Sequence, residues 1–590
     1  MTLSRVLRVP VDERERGAAM VVVLGMTFLL SALVVAGITT SVGAARQSQR
    51  DEGWNAALAA AYAGVEEYES RLANDLGYFA YGNPAAPFTV QTGSSSRVSL
   101  PGGASANPAF GIGTSGTWAT VPGSGGQAEF RYEVDNSQFY IDGTLRIRST
   151  GRAGGDTRSI VADIKQKGFI DFLYFTDFEV MDPQALSPGS VVNCAIRYPS
   201  PRPGCTTINF GGADEINGPL HTNDAITTNG AAKFNGKVTT AYKAASGPNY
   251  VKSGSSPTFL LPGDPQNIGS IGMPPTNAQL MKEVRHDLPL EVPNPGCLYT
   301  GPTSITFHSD GTMTVISPWT KETQVNATAS HGIHPAKCGI PGNAGLAKRV
   351  SGKYEGQRIP VPSNLVVYVQ TVPSASGNVN RTDSSPSNKR PPFPGSGSAN
   401  DCVTNGNSIG YPRSSEKVPF TAAYGCRSGD VFISGRLSGN ATVAAENYIY
   451  VTDDIVYDDP AEDMLGLIGN NAVWVWNPVN SSNQPLNAKN RRIDAAILSV
   501  AHTFMVQNYD KGSSNRGTLT VNGAIAQKFR GPVGTGTGAS MSTGYGKDYN
   551  YDERFRYTAP PKFLSPVTTT YGVNVWVEVE PAFDADGSAS

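Results

Sequence analysis

An uncharged segment near the N-terminus constrains this 590-residue chain more than any other feature. Residues 18–45 carry no formal charge and include two strongly apolar runs, residues 20–24 and residues 29–35. A helix rises about 1.5 Å per residue, so this segment is long enough to cross a hydrocarbon layer of about 30 Å. We therefore predict a transmembrane helix over residues 18–45.

The charges on either side of this helix predict its orientation. The leader, residues 1–17, carries four arginines, whereas the five residues after Ala45 carry two. This excess of arginine places the leader in the cytoplasm and the C-terminal body outside the cell membrane, in a single-pass topology. The alternative is a secretory signal peptide cut at Val42-Gly43-Ala44, but the apolar region of such peptides is only about 7–15 residues long.

Helical periodicity continues beyond the membrane edge through residues 46–75. Apolar side chains recur there at helical spacing between charged residues, namely Trp54, Leu58, Ala61, Tyr62, Val65, Tyr68 and Leu72. This spacing is typical of one face of an amphipathic helix. We therefore predict a single helix of about 55 residues that ends within residues 74–77, with Gly77 as a left-handed cap.

The start of the chain carries a second pattern. The charged leader ends in Glu15-Arg16-Gly17 and is followed directly by the apolar residues 18–24. This arrangement resembles the class III signal of type IV pilins and pseudopilins, and in particular the N-terminus of PilX-type minor pilins. The resemblance implies that a prepilin peptidase cleaves between Gly17 and Ala18, so that the helix stays on the mature protein. Val22 stands at the fifth mature position, where major pilins carry a glutamate that PilX-type proteins often lack.

The same resemblance implies partners and a local fold. The mature helix would lie in membrane lipid first and would later pack among the helices of other pilin or pseudopilin subunits in a filament. Residues 76–168 would form a pilin-like β region, in which residues 145–152 and 157–164 resemble the β-hairpin that follows the helix. Apolar alternation from Ile160 to Ile164 independently favours a half-buried strand, and Gly154-Gly155-Asp156 predicts the turn.

Residues 169–373 and 416–590 are predicted to form a β-rich body, because their short apolar segments lack helical periodicity. A weak repeat aligns Ile216-Asn217-Gly218-Pro219-Leu220 with Phe234-Asn235-Gly236-Lys237-Val238, 18 residues later. Short strands separated by Asn-Gly turns favour a β-solenoid of the right-handed β-helix type, although a large β-sandwich gives a similar pattern. The predicted fold class is therefore mainly β with one long N-terminal α-helix.

Two segments have the composition of loops. Residues 374–415 are rich in Ser, Asn, Pro and Gly, which predicts a linker or surface loop inside the body. Residues 531–546 are rich in glycine, which predicts a long exposed loop.

The chain has six cysteines. An even number in an exported body predicts disulfides, and we favour pairing between neighbours in sequence among the possible connectivities. The expected pairs are Cys194 with Cys205, Cys297 with Cys338, and Cys402 with Cys426. No CxxC occurs in the sequence, which argues against thioredoxin-like and zinc-ribbon sites.

Net charge and motifs argue against several functional classes. The net charge is −2 and no basic cluster occurs, which argues against nucleic-acid binding. The motifs HExxH and GxxxxGK[ST] are absent, and the single GxSxG match, residues 406–410, lies in the predicted linker rather than between a strand and a helix, so no motif indicates metalloprotease, α/β-hydrolase or P-loop chemistry. We therefore expect a protein that is not an enzyme, with no catalytic residues and no cofactor.

An acidic cluster is the first candidate for a metal site. It comprises Asp453, Asp454, Asp458, Asp459, Glu462 and Asp463. Carboxylate oxygens suit Ca²⁺ outside the cell, with the first four aspartates as candidate ligands. The cluster lacks the residue order of an EF-hand, so a solvated turn is favoured, and a pair of glycosidase carboxylates is a further alternative.

Other side chains are weaker candidates. His331 and His334 lie close in sequence to Cys338 and can be considered as metal ligands, but surface positions are favoured. His221 and His502 lie within strand patterns and are expected to be hydrogen-bonded there, without a catalytic role. Trp474 and Trp476 share one face of a predicted strand. Their rings either fill a core or stack on sugar rings, and the core position is favoured.

Together these features predict a structural minor pilin or pseudopilin of a type IV-like pilus or secretion filament. Its large body is better suited to the tip of a filament than to repeated lateral packing. The competing hypothesis is a single-pass surface protein whose β-solenoid binds, or less readily cleaves, polysaccharide.

Overall fold

The computed structural model describes residues 15–75, 77–92, 98–103, 106–139, 144–166, 168–212, 214–351, 353–382, 407, 409–419, 423–512, 515–537, 540–566 and 571–590. These residues form two compact units. Unit 1 takes the described residues within Met1–Ser137, Leu145–Ile164 and Val575–Ser590. Unit 2 takes those within Gln138–Thr144 and Lys165–Asn574.

Unit 1 begins with one continuous helix, α1, over Glu15–Asn74. The uncharged segment and the periodic segment therefore form a single helix of 60 residues, close to the predicted length. The helix ends at Asn74, where the side-chain Nδ2 donates to the Ser70 carbonyl at 2.7 Å. The predicted left-handed cap is wrong, because Gly77 has a φ of −83° and its N–H bonds the Asp75 side chain.

A five-stranded sheet covers the C-terminal half of α1. Its strands are β1 (Ala119–Thr120), β2 (Ala128–Asp135), β3 (Thr144–Ala153), β4 (Asp156–Gln166) and the last strand of the chain, β35 (Tyr571–Val579). They lie in the order β1-β2-β3-β4-β35. The neighbours β3 and β4 are joined at Gly154 and Gly155, which confirms the predicted hairpin and turn. The unit also contains α2 (Pro87–Thr92) and short 3₁₀ helices at Tyr78–Ala80 and Pro108–Phe110.

Small residues form the contact between α1 and this sheet. A Cβ on Gly151 would lie 2.1 Å from the Ala57 carbonyl oxygen, and one on Gly64 would lie 2.3 Å from Ser149 Oγ. The predicted helix face is therefore right only in part. Of its seven residues, Ala61, Val65, Tyr68 and Leu72 are buried. Trp54 and Tyr62 are 49% and 37% exposed, because the sheet lies against the small residues instead.

Unit 2 contains the remaining strands. The first group is β5 (Tyr174–Phe178), β6 (Phe210–Gly211), β7 (Glu215–Asn217), β8 (Leu220–Thr222), β9 (Ile226–Asn229), β10 (Lys233–Phe234), β11 (Val238–Thr240), β12 (Tyr250–Ser253), β13 (Thr258–Phe259) and β14 (Gln266–Asn267). The second group is β15 (Cys297–Thr300), β16 (Thr303–His308), β17 (Thr312–Ile316), β18 (Gln324–Val325), β19 (Gly332–Ile333), β20 (Arg349–Val350), β21 (Lys353–Tyr354), β22 (Gln357–Pro360) and β23 (Leu365–Gln370).

The third group completes the unit. It is β24 (Val431–Leu437), β25 (Asn440–Ala445), β26 (Tyr448–Tyr457), β27 (Met464–Gly469), β28 (Ala472–Val475), β29 (Arg491–Ser499), β30 (Phe504–Val506), β31 (Thr518–Phe529), β32 (Gly534–Thr537), β33 (Ser540–Gly544) and β34 (Gly546–Tyr551). The helical turns of unit 2 are α3 (Pro183–Leu186) and 3₁₀ segments at Phe169–Asp171, Ala278–Val284, Ala336–Cys338 and Glu553–Arg556.

Parallel pairing aligns equivalent side chains of unit 2 in columns. One column, which we call the inner column, runs through Cys297, Val367, Val443, Leu467, Ile497, Ile525, Tyr174, Leu220 and Val238. All of these side chains are buried in one core cluster. The next residue on each strand belongs to a second column, which we call the outer column. Its apolar members pack in a second cluster with Leu280 and Val284, and they are Leu298, Tyr368, Ala444, Ile468, Leu498, Ala526 and Phe175. The chain is therefore mostly β with one long N-terminal helix, as predicted.

The order of strands in this stack differs from their order in the chain. The stack passes from β15 through β23, β25, β27, β29 and β31, and then continues with β5, β8, β11 and β14. The chain thus starts its winding in the middle of the stack at β5. After β14, residues 268–296 lead to β15, and Leu280 and Val284 of this segment pack on the outer column.

The weak repeat of 18 residues is real structure. Ile216 is the parallel partner of Phe234, and Leu220 is the partner of Val238, so the two copies lie on adjacent strands in register. A Cβ on Gly236 would lie 2.3 Å from the carbonyl carbon of Gly218. Glycine is therefore required in the repeat because the two turns stack backbone on backbone.

Two expected segment assignments differ from the structure, and a third lies largely outside the described residues. Residues 575–590, expected in the body, belong to unit 1, where the Ala582 N–H donates to Ser159 Oγ at 2.9 Å. The predicted exposed loop at 531–546 instead contains the antiparallel pair β32 and β33. Much of the predicted linker, residues 383–406 and 408, lies outside the described residues.

Among the described residues, two disulfides join cysteines that are neighbours in sequence. Cys194 bonds to Cys205, and Cys297 bonds to Cys338. Cys402, the expected partner of Cys426, lies outside the described residues.

Candidate functional site

The N-terminal half of α1 is the candidate functional surface of unit 1. Its large apolar side chains, from Met20 to Val42, are between 46% and 78% exposed. Within the part of the chain that the structure describes, α1 is the one helix long and apolar enough to cross a membrane. Gly17 and Ala18, the predicted processing site, lie in the first turn of this helix.

Three threonine hydroxyls of this half are satisfied within the helix itself. The hydroxyl of Thr27 donates to the Val23 carbonyl at 2.9 Å, and that of Thr39 donates to the Val35 carbonyl at 3.0 Å. Thr40 makes the same bond to Ala36 at 3.0 Å. An apolar medium penalises unpaired polar groups, so these internal bonds suit an apolar environment.

The packed half of α1 begins at Gly53. A Cβ there would lie 3.1 Å from Asp156 Oδ2 and 3.5 Å from Gly154, at the turn between β3 and β4. Gly53 is buried, whereas Asp51 and Glu52 before it are exposed. The change from exposed to packed helix therefore occurs within two residues.

A polar network then fixes α1 to the sheet. The Tyr132 hydroxyl on β2 donates to Glu67 Oε2 at 2.7 Å, and Asn107 Nδ2 bonds the hydroxyls of Tyr132 and Tyr78. Burial raises the pKa of Tyr132, so its hydroxyl remains a donor to Glu67. Glu67 also forms an ion pair with Arg71 one turn later. These bonds hold the packed half of α1 in one orientation on β2.

Arg131 on the other side of β2 holds the end of the chain. Its buried guanidinium donates to the carbonyls of Thr117, Gly116 and Gly587, at 3.0, 2.8 and 3.4 Å. Its Cζ lies 4.1 Å from the centre of the Trp118 ring. Burial lowers the pKa of Arg131 to about 10, which still leaves it charged at neutral pH.

Sequence reasoning missed the small residues that carry this packing. They are Gly53, Ala57, Ala60 and Gly64, which are all buried. Their spacing of four, three and four residues places them on one face of the helix. That spacing was the available signal, but a search for large apolar residues passes over it.

The acidic cluster of unit 2 does not gather around one point. Arg491 forms ion pairs with Asp453 and Asp454, and the Asp459 N–H donates to Asp463 Oδ2 at 2.7 Å. Asp458 lies 3.8 Å from Arg436. Within the described residues, no three His, Cys, Asp or Glu side chains are placed to hold a metal ion. Asp453, Asp454 and Asp458 instead pair with arginines, and Asp463 accepts from the backbone.

The histidine candidates are dispersed. His334 Nδ1 lies 3.0 Å from Glu322 Oε2, whereas Cys338 is committed to its disulfide with Cys297. His221 is a member of the outer column, where it bonds Thr239 Oγ1 at 2.9 Å. Burial lowers the pKa of His221 to about 4, so it is neutral. His502 bonds the Asp182 carboxylate at 2.5 Å.

Both tryptophans belong to the core. Trp474 and Trp476 are at most 2% exposed, in a cluster with Tyr424, Phe432 and Tyr450. The indole N–H of Trp476 donates to the Tyr424 hydroxyl at 2.9 Å. Their faces are covered by protein, so the core interpretation is confirmed.

The comparison with solved structures gives a distant likeness. No family model and no curated protein matches this sequence. Among solved structures, the competence-associated pilin ComZ from Thermus thermophilus is matched over 89% of this chain and 97% of that chain, with 9% sequence identity and a TM-score of 0.25.

Proposed function

We propose that this chain is a structural, non-enzymatic minor pilin or pseudopilin of a type IV-like filament. The observation that carries the proposal is the division of α1 into an exposed apolar half and a half packed on the sheet of unit 1. Soluble monomeric proteins rarely expose apolar patches above a few hundred Å². The exposed half therefore requires an apolar partner.

One surface of this kind serves two environments. The leader lies on the cytoplasmic side of the membrane, and residues 18–45 cross the lipid in the newly made protein. A prepilin peptidase then cleaves between Gly17 and Ala18, and the retained helix leaves the lipid to pack among the helices of other pilin subunits. Support comes from the resemblance of the leader and from the absence of unpaired side-chain hydroxyls at Thr27, Thr39 and Thr40.

We also propose that the parallel strands of unit 2 form a β-solenoid of the right-handed β-helix type. The in-register columns of buried side chains support this assignment. Unit 2 is much larger than unit 1, and a bulky body fits the end of a filament better than repeated positions along it. The proposed place of the subunit is therefore the filament tip.

The N-terminal residue of the protein extracted from its own membranes tests this function. We expect Edman sequencing and intact mass to give a chain that begins at Ala18. The variant Gly17→Leu should retain the leader and disappear from the sheared filament fraction. Gly25→Leu is the matched control, since a Cβ at Gly25 meets nothing within 4 Å and the substitution keeps the helix apolar.

Two results would overturn the proposal. A wild-type chain that begins at Ala45 would identify a signal peptide and a secreted protein. A wild-type chain that begins at Met1 would identify a permanent membrane anchor without prepilin processing.

A further inference from the structure

A polar cavity of about 450 Å³ opens in unit 2 beside β14, in a part of the molecule that the filament proposal leaves without a role. Its size lies within the range of ligand sites in proteins, roughly 300–1,000 Å³. The walls include Arg197, Tyr198, Asn223, Tyr242 and Asn267. We call it the Tyr198–Tyr242 pocket.

Two tyrosine rings form a corner in this pocket. The ring centres of Tyr198 and Tyr242 lie 5.3 Å apart, and the ring planes meet at 77°. Tyr198 is 36% exposed, so the corner is accessible from solvent. Aromatic rings combine an apolar face with a polar hydroxyl. A pyranose ring is complementary to such a corner, because it has an apolar face of C–H groups and a rim of hydroxyls.

Arg197 adds a cation to the same pocket. Its Nη2 donates to Asp177 Oδ1 at 2.5 Å, and Asp177 also accepts from Asn223 Nδ2 at 2.9 Å. The Asp177 side chain is 12% exposed and holds the guanidinium, while the Arg197 side chain remains 41% exposed. A guanidinium has five N–H donors. One bond to Asp177 therefore leaves donors that can form a bidentate pair with a carboxylate.

The backbone behind the corner is held in place without a ligand. The Tyr198 N–H donates to the buried Asp224 Oδ1 at 2.7 Å. Asn267 Nδ2 donates to the carbonyls of Ala241 and Tyr242, at 3.1 and 3.2 Å. A site whose walls are already ordered loses less conformational entropy when it binds.

We propose that the Tyr198–Tyr242 pocket binds a carboxylate-bearing sugar ring, such as a uronate of an acidic polysaccharide. The apolar face of the ring packs on the tyrosine corner, and its carboxylate accepts hydrogen bonds from Arg197. Asn223 serves as a wall, since its amide already bonds Asp177 and the backbone of Ile271. The site goes beyond the filament role and does not depend on it.

Titration calorimetry on the full chain in lipid nanodiscs tests the site, with tetragalacturonate as the acidic probe and cellotetraose as the neutral one. We expect tetragalacturonate to bind and cellotetraose to bind at least about tenfold more weakly. Tyr242→Ala and Arg197→Gln should each weaken the binding of tetragalacturonate by at least about tenfold. Tyr557→Ala is the matched control, because Tyr557 is a tyrosine of unit 2 that is 62% exposed and lies outside the pocket lining.

The possible outcomes separate the parts of the proposal. No binding of tetragalacturonate by the wild-type protein overturns it, as does binding that neither pocket variant weakens. Equal binding of both probes, unaffected by Arg197→Gln, overturns the assignment of the carboxylate to Arg197. Tyr242→Ala keeps the test valid if the loss of Arg197 from its pair with Asp177 unfolds the region, since the Tyr242 side chain contributes a ring contact with Tyr198.

Discussion

Asp430, the residue before β24, has an unusual environment for a carboxylate. It is fully buried, and burial raises its pKa from 3.8 to about 7. Its Oδ1 accepts from Asn447 Nδ2 at 2.6 Å and from the Tyr448 N–H at 3.2 Å. Between pH 4 and 7 the native protein therefore keeps a proton that the unfolded chain releases.

This difference predicts a pH dependence of the free energy of unfolding. The stabilising contribution of protonated Asp430 is complete below about pH 4 and is lost as the pH rises to about 7, by roughly 4 kcal/mol at most. Asp430→Asn keeps a neutral side chain and should remove this loss. Urea unfolding of both proteins between pH 4 and 8 should show a variant that gains stability relative to wild type as the pH rises. A constant difference across that range would contradict the assignment.

Gly151 and Gly64 give a second prediction at the residue scale. A Cβ on Gly151 meets the backbone of Ala57 and Ala61, which cannot move without displacing α1, whereas one on Gly64 first meets the rotatable Ser149 hydroxyl. Gly151→Ala should therefore destabilise the packed half of α1 by about 1–3 kcal/mol, and Gly64→Ala by less. Hydrogen exchange of residues 53–72 measures this. Gly37→Ala, with nothing within 4 Å, should change it little, and an equal effect of all three would contradict the packing.

At the scale of elements, residues 268–296, between β14 and β15, are hydrogen-bonded to the stacked strands. Asn277 is fully buried, and its Nδ2 donates to the carbonyls of Ala445 on β25 and Ile468 on β27, at 2.8 and 3.1 Å. Its own N–H donates to the Asn470 side chain at 2.9 Å. One side chain thus ties this segment to two neighbouring strands.

Removal of the Asn277 side chain should weaken the contact of this segment with β25 and β27. Asn277→Ala removes one hydrogen bond from each of two carbonyls, of which that of Ala445 keeps the Asn470 N–H as a donor, and each lost bond costs about 1 kcal/mol. We expect lower thermal stability of unit 2 and faster hydrogen exchange in residues 278–284. Thr276→Ala is the control, because the Thr276 hydroxyl oxygen accepts a local, exposed hydrogen bond from the Ala278 N–H. A stability loss as large in Thr276→Ala would contradict the role of Asn277.

Elements with a local signal were predictable from sequence. The uncharged run and the 3.6-residue period predict one helix that ends within residues 74–77, close to the observed end at Asn74, and the Asn-Gly repeat gives the register of β7 with β10. The face of α1 that packs was only half predictable, since Gly64 and Ala57 pack through their small size. The Tyr198–Tyr242 corner was not predictable, because its two rings are 44 positions apart and meet only after the strands have stacked.

At the scale of the whole molecule, the order of the stack has no local signal. In the pairing of β31 with β5, Ile525 is the partner of Tyr174. No local sequence pattern near either residue predicts this pairing. A solenoid of sequential winding would satisfy the same repeats. A ladder of exposed amides nevertheless marks this junction on the surface, since Asn217 bonds Asn550 at 3.3 Å and Asn235 at 2.8 Å.

This ladder allows the winding order to be tested covalently. Asn217 and Asn550 are parallel partners on β7 and β34, and side chains in such register are close enough for a disulfide. The double variant Asn217→Cys/Asn550→Cys should oxidise to a bond spanning 333 positions, detected by peptide mapping and by mobility on a non-reducing gel. Asn235→Cys/Asn550→Cys is the control, because Asn217 separates these residues by one strand. Failure of the first pair to cross-link would contradict the stacking of β7 on β34, since sequential winding places β7 far from β34.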